Sequence, residues 1–206
     1  MIIKHLGKEP VVDKSSFIAP NAVLCGEVSI GKNVRIMYGA QIIAESSQVT
    51  IGDNCIILEN AVVRGTTNFP VSVGNNCLIG PNAHLAGCTV KDNVFIATGA
   101  SVFHGAVLKN GSEVRINGVV HLKTVLPEDT FVPINWIAVG DPVQILPPDK
   151  HDDIWIIQKP LNFPQTVYGI DRLADGESNN MAEICRVMSE RLASHFSDRL
   201  ADGESD

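Results

Sequence analysis

Residues 90–132 read VKDNVFIATGASVFHGAVLKNGSEVRINGVVHLKTVLPEDTFV, and an aliphatic residue returns every sixth position. The series is Val90, Ile96, Val102, Leu108, Val114, Val120, Leu126 and Val132. A helix repeats every 3.6 residues and a simple strand every two, so neither accounts for a period of six. A six-residue repeat with small residues, Asn and Gly between its aliphatic members is the signature of a parallel β-helix. Each hexad supplies one short strand and a corner, and three hexads close one triangular coil. Outward from this stretch the register continues through Ile18, Leu24, Ile30, Ile36 and Ile42, then Ile51, Ile57 and Val63, then Val73, Ile79 and Leu85. Asn and Gly recur at the corners, as at Asn33, Gly39, Asn54 and Asn76, because they accept a left-handed backbone at least cost.

The register breaks carry information. Three extra residues lie near Glu45 to Gln48 and four around Thr66 to Pro70, while Cys88 marks a deletion of one. Insertions at a corner project as loops while the coil stays intact, and such loops often form the functional face of a repeat fold. Three hexads per coil give three stacked columns and about six coils. Residues 1–16 are expected to close one end of the prism. The division predicted is a β-helix with its cap over 1–146 and a C-terminal extension over 147–206. Within the extension, 152–159 suits a short amphipathic helix carrying Trp155. A second helix is predicted at about 180–196, with Asn180 and Glu183 as a capping box and the last ten residues frayed.

Composition sets bounds. The chain has 206 residues, and 45% of them are hydrophobic but only 5% aromatic, which fits a narrow prism filled by Ile and Val. A formal charge of -7 with no basic block argues against nucleic acid as a partner. No long apolar run or signal peptide is visible, so neither a membrane nor export is expected, and a cytoplasmic setting is the default. The five cysteines form no CxxC and read as buried small hydrophobes rather than a metal cluster.

The stretch VRIMYGAQIIAE, VTIGDNCIILENAVVRG and VSVGNNCLIGPNAHLAGCTV, closed later by IAVGDP, resembles the gamma-class carbonic anhydrase family. That family lies within the hexapeptide-repeat acyltransferase superfamily. The resemblance covers about residues 10–145 and implies a left-handed prism, trimers and active sites at clefts between neighbouring prisms. Carried over residue by residue, the three zinc-binding histidines of the family fall on Arg64, Pro81 and Ala86. None of these can ligate zinc. The family's supporting Arg and Asp become Ile43 and Glu45, and its Gln-Asp pair becomes Leu58 and Glu59. With no metal to acidify a water, carbon dioxide hydration has no nucleophile there. QIIAES and VTIGDN also resemble the pointed-end subunits of dynactin, in which such a prism serves assembly.

Two readings of the altered cleft stand side by side. Arg64 with Glu45 and Glu59 forms either an interface ion-pair cluster or a pocket for a small anion. His84, His104 and His121 are candidates for the general base that superfamily acetyltransferases use with acetyl-CoA. His84 and His104 are the favoured pair, although an ordinary surface or interface role suits each of them. His84, His104 and Glu59 form a less specific candidate for a relocated metal. Lys109, Arg115, Lys123 and the turn Gly140–Pro142 are candidates to meet coenzyme A phosphates. The expectation is therefore a homotrimeric, zinc-less relative of the gamma carbonic anhydrases, without their activity, that binds a small anion or serves structurally. An acyl-CoA-dependent acetyltransferase is the alternative, and thioester hydrolysis comes third.

Overall fold

The computed structural model describes residues 1–173 and 179–201. Over the repeat region it is an all-β, left-handed parallel β-helix. One face is a seven-stranded sheet of two-residue strands: Phe17–Ile18, Arg35–Ile36, Ile56–Ile57, Leu78–Ile79, Phe95–Ile96, Glu113–Val114 and Phe131–Val132. Pairing sets Ile18 on Ile36, then Ile57, Ile79, Ile96, Val114 and Val132, which is the first hexad column. The other two columns share the second, larger sheet, because Val23–Ile30 and Gln41–Ile51 run through a corner as unbroken strands.

The reason for this architecture is local. The second residue of each strand points inward and is buried, as Ile57, Ile79 and Ile96 are, while the first points outward. A small residue immediately before the strand fills the corner, as Ala40, Ala61, Ala83 and Ala100 do. Asn33, Asn54, Asn76 and Asn93 all adopt positive φ. Asn33 donates to Asn54 at 2.9 Å and Asn76 to Asn93 at 3.3 Å, so corner side chains bind one coil to the next. Gly39, at φ +73, has Asn60 Oδ1 where a Cβ would sit, so only glycine fits that corner.

The number of coils exceeds the expected six, because the N-terminal segment adds rungs instead of only covering an end. Ile2–Lys4 pairs in parallel with Val23–Ile30, setting Ile2 on Leu24, and Val11–Val12 sets Val12 on Ile30. The two insertions take different forms. The first is absorbed as a bulge within Gln41–Ile51, and the second makes a tight turn closed by Thr66 and Phe69 with Asn68 at φ 65.

The extension holds two helices, α1 (His151–Gln158) and α2 (Met181–Leu192). Between them lies a wide turn, Pro164–Tyr168. The capping box does not form: Asn180 donates to the Asp171 carbonyl, and Glu183 is claimed by Arg186 at 2.8 Å. Nor is the tail simply frayed. Arg199–Leu200 pairs antiparallel with Ile2–Lys4, and Ala201 donates to Ile2. Residues 174–177 of the expected loop and 202–206 of the tail lie outside the described residues. Among the described residues, no helix is long and apolar enough to cross a membrane.

Candidate functional site

Arg64 and Ala86 are paired neighbours one rung apart, with Ile43 on the other side of Arg64. Their side of the prism forms a cavity of about 230 Å³ lined by Glu45, Arg64, Thr66, Thr67, His84, Ala86, Phe103 and His104. Both insertions therefore border it. The extension closes it from above with Phe163, Val167, Tyr168, Met188 and Arg191. Arg191 fixes this roof by donating to the carbonyls of Val167 and Tyr168, at 3.3 and 2.8 Å. The chain thus covers its own cleft.

The guanidinium of Arg64 is bonded to the carboxylate of Glu45, which is buried. Loss of hydration lowers the pKa of Arg64, and Tyr168 opposes that shift. A guanidinium nonetheless stays charged at neutral pH. Its Nε is buried and has no partner among the described residues. His104 is 7% exposed, with a buried Nδ1 that also lacks a partner. Its ring meets Phe69 edge-on at 5.3 Å and Phe163 at 6.4 Å. Burial, then His84, then Arg64, bring its pKa down to about 4. His84 stands at the mouth, open to solvent on one side; burial on the other side and then Arg64 lower its pKa. Both rings are neutral at pH 7, so each has a nitrogen free to accept a proton.

A buried neutral histidine makes stability depend on pH, and the sign follows from linkage. Between pH 6.5 and about 4 the unfolded chain binds a proton at His104 that the folded chain refuses. Stability is then full above 6.5 and falls as the pH drops through this window. For His104 the loss is expected to be about 2 kcal/mol. Urea unfolding near pH 7 and near pH 4.5, for the wild type and His104→Gln, isolates it: the variant's stability should change less between the two conditions.

The other residues singled out from the sequence lie elsewhere. Among the described residues, Glu59 is not one of the groups that meet Arg64 within the chain; the carboxylate bonded to it is that of Glu45. Glu59 is also absent from the lining shared by His84 and His104. Pro81 lines a separate, larger groove of about 390 Å³ with Leu58, Leu78, Phe95, Ala97, Ile116 and Ile134, which contains no imidazole. His121 is half-buried against Phe103 at 5.7 Å, with its pKa lowered to about 4 by burial. Arg115 lies over the Phe131 ring at 4.3 Å and 3.6 Å from Glu113, so its charge already has partners. Sequence reasoning missed the roof residues Phe163 and Tyr168, whose segment has no period to read, and left open what the expected helix carrying Met188 and Arg191 would cover.

The donor set does not fit the family's zinc. A guanidinium already held by a carboxylate, a methyl group and a proline ring on another face offer no imidazole, thiolate or carboxylate at the three positions.

Comparison with known proteins follows this geometry. Residues 70–104 match the family described as "Bacterial transferase hexapeptide (six repeats)". The chain is 31% identical over 163 residues to gamma carbonic anhydrase 1, mitochondrial, of Arabidopsis thaliana, covering 76% of this chain and 57% of that protein. It is 26% identical over 192 residues to gamma carbonic anhydrase 2, mitochondrial, of the same plant, covering 90% and 67%. The chain therefore spans between half and about two thirds of the length of these relatives. Among solved structures, a hexapeptide transferase family protein from Anaplasma phagocytophilum superposes with a TM-score of 0.54 at 28% identity, covering 77% of this chain and 90% of that one. The chain is a hexapeptide-repeat β-helix protein related to the gamma carbonic anhydrases, with other residues where those enzymes hold zinc.

Proposed function

We propose that the chain is an acyl-CoA-dependent acyltransferase acting on a small acceptor, with the roofed cavity as its acceptor site. The observation that carries this reading is a buried, neutral His104 with a partnerless Nδ1, in the same cavity as the Arg64 guanidinium. An amine or hydroxyl acceptor gives its proton to the imidazole as it attacks the thioester carbonyl. The tetrahedral adduct then expels the coenzyme A thiolate, which takes up the proton. No group on the protein is acylated. Arg64 suits an acceptor that carries a carboxylate, since a guanidinium offers parallel donors to two oxygens. The apolar roof excludes water, which would otherwise hydrolyse the thioester. The transferase family matched over 70–104 and the Anaplasma structure support the reaction class. The four buried free cysteines suit a reducing, cytoplasmic setting.

The test uses acetyl-CoA with a panel of small amines and alcohols bearing a carboxylate, and follows thiol release. Turnover above the uncatalysed rate is expected, and Arg64→Met should raise KM for the acceptor more than it lowers kcat. If acetyl-CoA neither stabilises the protein to heat nor releases thiol with any acceptor, the reading is wrong. A second reading would then stand on the ion pair itself: Glu45 already supplies a carboxylate to Arg64, and the pair is a strut that fixes the insertions.

The assembly unit is part of the proposal. Ile56, Leu78 and Phe95 form an outward apolar stripe on the seven-stranded sheet, bordered by Arg35 and Glu113, and Phe95 is 40% exposed. We assign this face to a homotrimer contact, since an exposed apolar stripe rimmed by charged residues marks a protein–protein contact. Phe95→Glu should convert the wild-type trimer to monomer in light scattering, whereas an already monomeric wild type would refute the assignment.

A further inference from the structure

A second cluster of chemistry-bearing side chains lies on the far side of Glu45. His5 and Cys25 are buried, and His195 and Asp198 are half-buried. The ligand atoms of all four fall within 4.8 Å of one another. They come from three parts of the chain: the N-terminal turn, the strand Val23–Ile30, and the tail beyond α2.

The hydrogen bonds define what this cluster offers. His5 Nε2 donates to the Glu45 carbonyl at 2.8 Å, so Nδ1 faces Asp198 with either a lone pair or a second proton. That nitrogen lies 2.6 Å from Asp198 Oδ1. His195 Nδ1 lies 2.8 Å from the other oxygen, Oδ2, and the two rings stack at 4.3 Å. Cys25 Sγ is 3.9 Å from the same Oδ2. A lone pair facing a carboxylate oxygen at hydrogen-bond distance repels it unless something positive sits between them. A proton can do so, and so can a metal ion.

We propose that His5, Cys25, His195 and Asp198 bind one divalent transition-metal ion, with zinc the best match. Two imidazoles, a thiolate and a carboxylate make the four-ligand set of a closed structural zinc site. The His5 contact with a backbone carbonyl is the outer bond that metal-bound histidines make, fixing which nitrogen faces the metal. A tetrahedral site separates neighbouring nitrogen and oxygen ligands by about 3.3 Å, so Asp198 moves outward by less than about 1 Å to admit the ion. Binding releases the thiol proton of Cys25 to solvent.

The site has a structural consequence. Two ligands come from the prism and its N-terminal turn, and two from the tail that follows the roof helix α2. The metal therefore pins the roof of the acceptor cavity to the barrel. Glu45 joins the two sites, since its carbonyl receives His5 and its carboxylate receives Arg64. This proposal does not depend on acyl transfer.

The experiment uses the full chain without an affinity tag, stripped of metal and titrated with zinc or cobalt(II). One equivalent should bind, cobalt giving visible bands of tetrahedral geometry and a near-ultraviolet thiolate band. Cys25→Ser should abolish the thiolate band. His195→Ala should weaken affinity at least about tenfold, with the β-structure circular dichroism of the prism retained because His195 lies outside it. Added zinc should also slow proteolysis of the tail in the wild type and not in His195→Ala. Failure to bind a stoichiometric ion, or equal binding by a Cys25→Ser/His195→Ala double variant, would overturn the site; the cluster would then be held by a proton alone.

Discussion

His104→Ala is expected to lower the rate of thiol release from acetyl-CoA by about 100- to 10,000-fold, the range for a positioned general base. The KM for acetyl-CoA should hardly move, because the imidazole acts on the acceptor proton. His104→Gln should be equally slow: an amide keeps much of the side-chain volume and bonding capacity but does not take up a proton near neutral pH. The pH profile gives an independent check. The acid limb of kcat/KM should fall with an apparent pKa near 4, well below an ordinary imidazole, since burial, His84 and Arg64 all hold the ring neutral. His84→Ala removes one of those influences and should move the limb upward. A His104→Ala chain as fast as the wild type would remove the residue from the chemistry.

Ile79→Ala is expected to destabilise the prism by about 4 kcal/mol. Ile79 is fully buried and paired in register between Ile57 and Ile96. Rungs are held about 4.8 Å apart by their backbone ladder, so the neighbours have little freedom to close over the missing atoms. The cavity remains, and its cost adds to the lost burial. Ile79→Val should cost about 1 kcal/mol and the outward Leu78→Ala less than Ile79→Ala. Urea unfolding of the three variants gives this order, and an Ile79→Ala cost below about 1 kcal/mol would mean the column does not support the fold.

The columns were legible because a hexad repeat names its inward residue without reference to the rest of the chain. Ile57, Ile79 and Ile96 could be assigned to one line from spacing alone, and so could Arg64 beside Ala86. Val12 continues the hexad series six residues before Ile18 and sits on Ile30, so that rung was open to reading, whereas Ile2, 22 residues before its partner Leu24, lies outside the register. Both Glu45 and Glu59 were expected beside Arg64; within the chain the bulge brings Glu45 onto it. The roof and the His5 cluster were hidden for a different reason. Phe163, Arg191 and Asp198 meet the prism across long separations, His5 and Asp198 being 193 residues apart, and no period relates such positions.

The replacement of a zinc centre by an acceptor cavity is tested most directly by a crystal structure of the wild type grown with coenzyme A and zinc. The thiol end of coenzyme A should reach the cavity between His104 and Arg64, with no metal among Arg64, Pro81 and Ala86. A metal held at those three positions, or coenzyme A bound away from His104, would contradict it.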